Sequence, residues 1–190
     1  MRRRQDRIIV GNWADPQLLA GERFDTVLAD YLVGAVEGFA PYFQARLFRR
    51  LRALTGGRLY LVGLEPYVTL ASDTAAGRMI WEIGRFRDAV LLHAGDLVYR
   101  EFPSEWVLEQ LTAARFRVTA VHHFPIRYGA RFIDSQIDMC ASRSARLNDR
   151  TLADALHARG EALRHEALAL ASREGGVRHG FDYVIAAEPC

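Results

Sequence analysis

The sequence contains no lysine, and all 25 of its basic residues are arginine. Guanidinium groups suit bidentate contacts with carboxylates and phosphates, but a GC-rich coding bias toward arginine explains their number more simply. The 23 acidic residues are mixed with the arginines and leave a net charge of +2. This balance lacks the basic footprint of a nucleic-acid-binding protein, so nucleic acid is not an expected partner.

Cysteines and long apolar runs are also scarce. Cys140 and Cys190 are far apart and in no CxxC or metal-ligand spacing, which argues against a secreted disulfide framework and favours a reducing compartment. Residues 1–7 are basic, but no apolar signal core follows them. The most apolar stretch, 26–43, contains two carboxylates and a proline and is too short to span a membrane. The sequence therefore predicts a soluble, cytoplasmic protein with no membrane partner.

The length and composition fit one folded domain. The chain has 190 residues, of which 50% are hydrophobic and 25% charged, as in ordinary globular proteins. A chain of this length buries roughly 70% of its unfolded surface and needs no disulfide or metal for stability. No internal repeat or linker interrupts it, so we predict a single domain over residues 1–190.

Short apolar runs alternate with amphipathic helical patterns along the chain. The runs predict five strands, at 8–10, 26–29, 59–64, 117–124 and 181–187. The helical patterns lie at 41–54, 76–93, 104–114, 130–146 and 149–172. Because the runs are almost continuously apolar, they favour strands buried in a parallel sheet. The predicted fold is α/β with a mostly parallel sheet.

Residues at the predicted helix ends suggest where each helix starts and stops. Gly56-Gly57 is expected to end the helix at 41–54, and Gly175-Gly176 to end the last helix. Ser104 is a good N-cap for the helix that follows it, and Asn148 or Asp149 is a plausible cap for the last one.

Five segments, taken in order, resemble the centre of a class I S-adenosylmethionine-dependent methyltransferase. They are GNWAD (11–15), RFDTVLADYLVGAVEGFAPYF (23–43), GGRLYLVGLEP (56–66), FRVTAVHHFPIRYG (116–129) and FDYVIAAEP (181–189). They resemble the loop after the family's third strand, then its fourth, fifth, sixth and seventh strands. The resemblance implies a Rossmann-like methyltransferase sheet, mostly parallel with an antiparallel last strand, in the order three, two, one, four, five, seven, six.

The resemblance also implies S-adenosylmethionine as the cofactor. Asn12 and Trp13 match the loop that holds its adenine, with the amide on the ring edge and the indole on the ring face. Asp30 and Tyr31 match positions near the methionine moiety and the transferred methyl group. The residues alone leave other roles open, namely a strand-end turn with a buried tryptophan at Asn12 and Trp13, and a helix or loop cap at Asp30.

Two features of the family are missing from the sequence. No GxGxG loop precedes the first predicted strand, and no acidic residue stands at the end of a second strand to bind the ribose hydroxyls. The chain is therefore expected to be an amino-terminally truncated methyltransferase domain, from strand three onward. It is expected to bind S-adenosylmethionine weakly or not at all by itself.

The missing strands would leave an open edge on the strand at 26–29, which is an aggregation hazard. Three outcomes are open: the strand at 8–10 shifts to pair with 26–29, a partner chain supplies the missing half, or the chain folds poorly. We expect the shift. Two main functions remain, methyl transfer to an unidentified acceptor once the cofactor half is supplied, or a non-catalytic half-domain that docks on a partner through this edge. Another nucleotide-binding α/β enzyme is less favoured, because it too would need a glycine-rich loop.

No catalytic residue is assigned, because methyl transfer is a direct displacement that needs alignment more than an acid–base pair. Glu65 is expected to cap a helix rather than orient a substrate. His122 and His123 should point to opposite faces of a strand and form no joint metal site.

Two longer segments are candidates for shaping an acceptor site. The polar loop with His93, Asp96, Tyr99 and Arg100 is a candidate substrate lid. The helical insertion at 130–172 would shape a pocket or form an interaction surface.

Overall fold

The computed structural model of the chain describes residues 5–69, 71–98 and 100–190. Within them lie four strands and six helices, one strand fewer and one helix more than predicted. They are β1 (Phe24–Asp30), α1 (Leu32–Ala35), a 3₁₀ turn (Val36–Gly38), α2 (Gln44–Leu54), β2 (Thr55–Leu64), α3 (Ala75–His93), α4 (Ser104–Ala113), β3 (Phe116–Tyr128), α5 (Ala130–Ser144), α6 (Arg150–Glu174) and β4 (Val177–Pro189).

The four strands form one sheet in the order β1-β2-β4-β3. β1 and β2 are parallel, with Leu28 beside Tyr60. β4 is antiparallel to both β2 and β3, so three strands run in one direction and the last strand runs against them. This is the order of strands four, five, seven and six of the methyltransferase sheet. The predicted fold class, mostly parallel with an antiparallel last strand, is therefore confirmed.

The predicted strand at 8–10 is wrong. These residues adopt no strand conformation, and Val10 is 96% exposed. Among the described residues β1 pairs with β2 alone, so the expected shift of 8–10 onto 26–29 is wrong as well. The chain that follows is tied to α2 instead, because Arg50 donates hydrogen bonds to the carbonyl oxygens of Pro16 and Leu18 at 2.9 and 2.7 Å.

One face of the sheet, the covered face, packs against α1, α2 and α4. In the centres of β2 (59–63) and β4 (183–187), every second residue points into this core and is buried, as Leu61 and Ile185 are. Leu47 and Leu51 lie four apart on α2 and form the apolar stripe that meets these strands. This core packs the layer of helices against the sheet.

The opposite face, the open face, has no helix over it in the described part of the chain. It consists of Leu28, Tyr60, Val62, Ala120, His122, Phe124, Val184 and Ala186, none of which belongs to either hydrophobic core. Leu28 and Phe124 are 63% and 52% exposed. A half-apolar sheet face left bare in this way is unusual in a doubly wound fold.

A second core lies beyond the carboxyl ends of the parallel strands, where α3, α5 and α6 pack together. Tyr128 at the end of β3 and Val177 at the start of β4 connect it to the sheet. α5 and α6 lie between the last two strands in the chain; that 130–172 is a separate insertion stays a prediction. No helix in the described residues is long and apolar enough to cross a membrane.

Two predicted helix boundaries differ from the structure. α2 ends at Leu54, and Gly57 lies inside β2, where a Cβ atom would come within 2.5 Å of the Asp25 carbonyl oxygen. Glycine is thus required there by the close approach of β1 and not by a helix end. α4 has Pro103 at its N-cap, and Ser104 is its first residue.

The predicted caps of the last helix are confirmed. The Asp149 side chain accepts a hydrogen bond from the Leu152 N–H at 3.0 Å at the start of α6. Gly175 ends α6 in the left-handed conformation, with φ of 65°.

Candidate functional site

The predicted cofactor residues Asp30 and Tyr31 lie at the carboxyl end of β1, next to the corresponding end of β2. Such an edge is where open α/β sheets bind ligands. β4 starts at this edge because it runs in the opposite direction, and it places Asp182 beside Leu64. The Tyr31 hydroxyl donates a hydrogen bond to Asp182 Oδ1 at 2.7 Å. The edge therefore joins polar groups from β1, β2 and β4.

Tyr31 has a backbone conformation that is uncommon for a residue other than glycine. Its φ of 47° is left-handed and turns the chain from β1 directly into α1. Its N–H donates to the Val62 carbonyl at 3.0 Å and extends the β1–β2 pairing by one residue. Partial burial, and then the hydrogen bond to Asp182, raise the pKa of Tyr31. The hydroxyl is thus a fixed, neutral hydrogen-bond donor.

Asn12 and Trp13 lie in a turn that is bonded within the chain. The Asn12 side-chain amide donates to the Phe39 carbonyl at 2.6 Å, and its oxygen accepts from the Ala14 N–H at 2.8 Å. Trp13 is half-buried against the covered-face core. This geometry matches the alternative role of a turn, while the adenine contact of both residues stays a prediction.

These residues do not form a complete cradle for S-adenosylmethionine. The sequence has no GxGxG loop, the Asn12 amide is engaged on both sides, and the Tyr31 hydroxyl is bound to Asp182. Asp30 presents an exposed side chain at the strand end. The chain's own residues therefore supply at most one wall of a cofactor site.

Glu65 follows β2 and caps a helix, although not the next helix in the chain. Both of its carboxylate oxygens lie 3.3 Å from the N–H of Ser104, the first residue of α4. His123 Nε2 lies 3.3 Å from Glu65 Oε1 and 3.2 Å from Ser104 Oγ. Because a single ring nitrogen makes both contacts, the three residues are not a serine–histidine–acid relay, which uses both nitrogens. His122 lies on the open face, so the two histidines face opposite ways as predicted.

A cavity of about 190 Å³ lies beside this edge, between the end of β2, α3, α5 and the segment before α4. Its walls are partly aromatic and partly charged. They are formed by Leu64, Pro66, Tyr67, Val68, Thr69, Arg87, Arg100, Glu101, Phe132 and Gln136. Of these residues, only Arg100 is among the site candidates named from the sequence.

The cationic side of the cavity is organised by one buried carboxylate. Asp88, 4% exposed, accepts hydrogen bonds from Arg87 at 3.1 and 2.9 Å and forms an ion pair with Arg100 at 2.8 Å. Arg87 also donates to the Tyr67 hydroxyl at 2.8 Å and weakly to Gln136 at 3.4 Å. Two guanidinium groups thus share the carboxylate of Asp88.

Glu101 is the anionic group of the cavity. Burial raises its pKa to about 7, Arg87 opposes that rise, and Asp182 adds to it. A Cβ atom on Gly34 would lie 2.7 Å from Glu101 Oε2, so this carboxylate lies directly against the backbone of α1. Glu101 therefore lies between the cavity and the chain that follows Tyr31.

Three buried tyrosines lie near enough to Glu101 for its charge to raise the pKa of their hydroxyls, namely Tyr67, Tyr128 and Tyr183. Tyr128 packs on Phe132 and Tyr67 with ring centroids 4.4 and 6.2 Å apart, and its buried hydroxyl has no partner among the described residues. Tyr183 donates to the Phe102 carbonyl at 2.9 Å. Burial raises the pKa of both Tyr128 and Tyr183.

The predicted substrate-lid loop is attached to the helices. Asp96 accepts from Arg143 and Arg146 at 3.2 and 3.1 Å, and Arg100 is paired with Asp88. Tyr99 lies outside the described residues. A role for this loop over a substrate stays a prediction.

A signal for Asp88 was present in the sequence. Ile80, Gly84 and Asp88 lie four apart and are all buried on α3, so a charged residue occupies an apolar helical stripe. A charge in that position needs a buried partner. The signal for Glu101 is absent, because its burial depends on segments far away in the chain.

No protein-family model and no curated protein matches the sequence. Comparison with solved structures finds several of related fold. A Bacillus halodurans protein named among the methyltransferases shares 18% identity, with 89% of this chain and 66% of that one covered and a TM-score of 0.46. A cyclopropane-fatty-acyl-phospholipid synthase-like protein from Lactobacillus casei shares 13% identity, with coverages of 94% and 61% and a TM-score of 0.49. Coclaurine N-methyltransferase, bound to N-methylheliamine and SAH, shares 13%, with coverages of 88% and 49% and a TM-score of 0.39.

The chain spans about half to two thirds of the length of these structures. At such identities the likeness concerns the fold alone. Because the three TM-scores lie below 0.5, the fold assignment rests on the strand order of the sheet.

Proposed function

We propose that this chain is the acceptor-side part of a methyltransferase-like domain, which transfers a methyl group from S-adenosylmethionine once another polypeptide segment supplies the cofactor half. The strand order β1-β2-β4-β3, with β4 reversed, carries the proposal. The polar edge with Asp30 and Tyr31 would form the chain's own wall of the cofactor site. Asn12 and Trp13 would complete that wall after rearrangement of their turn.

The unpaired edge of β1 and the open face both support a further segment in the domain. Both surfaces lie at β1, so one segment can cover them together. The crossover from β1 to β2 runs through α1 and α2, which lie on the covered face. Since crossovers are right-handed, strands added in the other direction carry their helices on the opposite face. A segment that extends the sheet beyond β1 would therefore cover the open face with its helix.

Titration with S-adenosylhomocysteine tests this proposal. We expect no measurable binding to the 190-residue chain alone. The same chain, co-expressed with or extended by a segment that carries a strand, a GxGxG loop and a helix, should bind it. If the chain alone binds tightly, the need for a second segment is refuted.

A matched pair of variants makes the test specific to the open face. Leu28→Glu places a charge on this face, and Leu92→Glu places one at an equally exposed position on α3; the native side chains are 63% and 65% exposed. In the completed protein, Leu28→Glu should abolish binding, whereas Leu92→Glu should leave it unchanged. Equal behaviour of the two variants would contradict docking on this face.

The second candidate function is docking without catalysis. Exposed aromatic side chains near the chain that follows β1, with Phe39 at 77% and Tyr42 at 91%, favour an interaction surface. A stable complex that binds no S-adenosylhomocysteine would favour this function over methyl transfer. The methyl acceptor itself is not identified by either function.

A further inference from the structure

The outer surfaces of α2 and α4 form one exposed face of the molecule, the helical face. The Phe48 ring on α2 packs against the Trp106 ring on α4, with centroids 5.8 Å apart, so the two helices lie side by side. α2 returns the chain from the end of β1 to the start of β2, and α4 leads from the Glu65 cap, just beyond β2, to the start of β3. Both helices therefore run against the parallel strands and point in the same direction.

The arginines of α2 carry charges that no described carboxylate balances. Arg46 and Arg49 are exposed on the outer side of the helix and form no ion pair with a described residue. Arg50 and Arg52 donate to backbone carbonyl oxygens, which leaves their positive charges in place. By contrast, Arg164 on α6 alone lies within ion-pair distance of three carboxylates. α2 has no acidic residue, so its outer side is a positive stripe.

α4 carries the opposite charge on its outer side. Glu105 and Glu109 lie one helical turn apart, on the side opposite the buried Val107 and Leu111, and both are exposed. Neither carboxylate pairs with a basic side chain anywhere in the described ranges, and α4 contains no basic residue. The helical face thus consists of a positive stripe beside a negative one.

The two stripes lie at the same level of the molecule. Leu54 and Ala113 are the last residues of α2 and α4, and each comes five positions before a strand residue that pairs with Ala187 of β4. Counted back from these helix ends, Arg46 and Glu105 are both eight residues away. At a rise of about 1.5 Å per residue, each lies roughly 12 Å from the end of its helix.

We propose that the helical face binds a second copy of this chain in a two-fold symmetric dimer. A two-fold axis parallel to both helices and midway between them puts α2 of each copy on α4 of the other, with every level preserved. Arg46 then faces Glu105 of the second copy. Arg49 faces Glu109, because these two lie five and four residues from the ends of their helices. A two-fold contact needs a self-complementary surface, and two neighbouring stripes of opposite charge supply one.

Both stripes together select this occupant. A nucleic acid or an anionic membrane would be attracted by Arg46 and Arg49 but repelled by the carboxylates of α4, whereas a second copy satisfies both stripes. Tyr42, 91% exposed just before α2, adds an aromatic side chain of the kind that is enriched at interfaces. The occupant that fits the whole face is therefore the chain itself.

The contact is expected to be small and reversible. The helices have 11 and 10 residues and span about 15 Å, so the helical face is smaller than a standard protein–protein interface. We expect a Kd on the order of 100 μM at low salt. The helical face and the open face lie on opposite sides of the sheet, so the dimer leaves the open face free and does not depend on methyl transfer.

Sedimentation velocity of the 190-residue chain measures the association. We expect a monomer–dimer equilibrium at low ionic strength, and association at least tenfold weaker at about 1 M salt, because salt screens the ion pairs. A chain that stays monomeric at roughly 0.5 mM, well above the expected Kd, would overturn the proposal. A dimer that salt does not weaken would overturn it as well.

Two opposite charge reversals make the test specific to the helical face. Arg49→Glu leaves only carboxylates at this pair of positions, and Glu109→Arg leaves only guanidinium groups, so each variant should associate with itself at least tenfold more weakly than the parent. An equimolar mixture of the two should form a mixed dimer, because the acidic variant then meets the basic one. The double variant should again associate with itself.

Matched reversals away from the helical face are the control. Arg131→Glu on α5 and Glu166→Arg on α6 change exposed side chains, and both variants should dimerise like the parent; circular dichroism checks that every variant is folded. Dimers that persist in both reversal variants of the helical face, or a mixture of them that stays monomeric, would refute the assignment. Loss of the dimer in Leu28→Glu, with retention in Arg49→Glu, would place the contact on the open face and refute it equally.

Discussion

The two faces of the sheet are built from alternate residues of the same strands, yet they have different surroundings. On the covered face, Leu61 and Ile185 are completely buried under α1, α2 and α4. On the open face, their neighbours Val62 and Val184 are only half-buried, and Leu28 is 63% exposed. In a sheet with helices on both faces, both sets would be buried.

The strands therefore carry more apolar side chains than the described residues bury. Val62 and Val184 are β-branched and suit a packed sheet face, but nothing in the described residues covers them. Exposed contiguous apolar surface of this kind marks an interaction site. Under the proposed function, a partner segment covers the open face, and single substitutions can measure the asymmetry between the two faces.

The largest expected effect is a cavity on the covered face. Leu61→Ala should lower the free energy of unfolding by about 3 kcal/mol, because the side chain is fully buried and the site cannot collapse completely. Val62→Ala, the next residue, should cost less than about 1 kcal/mol because its side chain is already half in water. Urea unfolding followed by circular dichroism measures both. Equal losses would show that the open face is covered in solution.

The second effect is a pH dependence of stability that comes from the carboxyl group of Glu101. The pKa of Glu101 is raised from 4.5 to about 7, so between these values the folded chain keeps a proton that the unfolded chain has lost. The free energy of unfolding therefore falls as pH rises through this window, by about 3 kcal/mol in all.

Glu101→Gln removes this titration and leaves the side-chain shape nearly unchanged. The variant should be about 3 kcal/mol more stable than the parent at pH 8 and nearly equal to it at pH 4.5. Thermal or urea unfolding at the two pH values is the measurement. A variant that is less stable at pH 8 would mean that the charged form of Glu101 is favoured in the fold.

Much of the fold could be predicted from the sequence, because local patterns determined it. The apolar runs at 26–29 and 59–64 and the helical stripe between them predicted β1, α2 and β2, and the structure has all three. The run at 8–10 failed because an apolar triplet forms a strand only if a neighbour pairs with it. No neighbour is available in the described sheet.

The candidate site could be predicted only where it follows strand ends. Asp30 and Tyr31 came from the resemblance to the methyltransferase family, and they lie at the edge where open α/β sheets bind ligands; their role in cofactor binding stays a prediction. Arg87 and Glu101 were missed, since their meeting depends on how α3, α5 and the segment before α4 pack. Such long-range packing leaves no short-range pattern in the sequence.

The third and smaller effect is a difference in stability between substitutions of two carboxylates at strand ends. Glu65→Ala should cost about 1 kcal/mol, because the N–H of Ser104 at the start of α4 loses its partner. Asp30→Ala at the end of β1 should change stability by less than about 0.5 kcal/mol, because this side chain is exposed. Chemical unfolding of both variants at pH 7 gives the comparison. A larger loss at Asp30 would assign it a structural role and weaken its candidacy for ligand binding.

The smallest effect is expected for the ion pairs at the rim of the open face. Glu188 lies between Arg58 and Arg117, at 3.1 and 2.6 Å, and both arginine side chains are more than half exposed. Exposed pairs of this kind contribute little and are screened by salt. Glu188→Gln should therefore change the unfolding midpoint only slightly at low salt and not measurably at about 1 M salt, where the screening length is roughly 3 Å.

Once a partner segment covers the open face, the same ion pairs are shielded from water, and the substitution should have a clear effect that salt does not remove. A salt-resistant effect in the isolated chain would instead mean that copies of the chain already cover this face for one another.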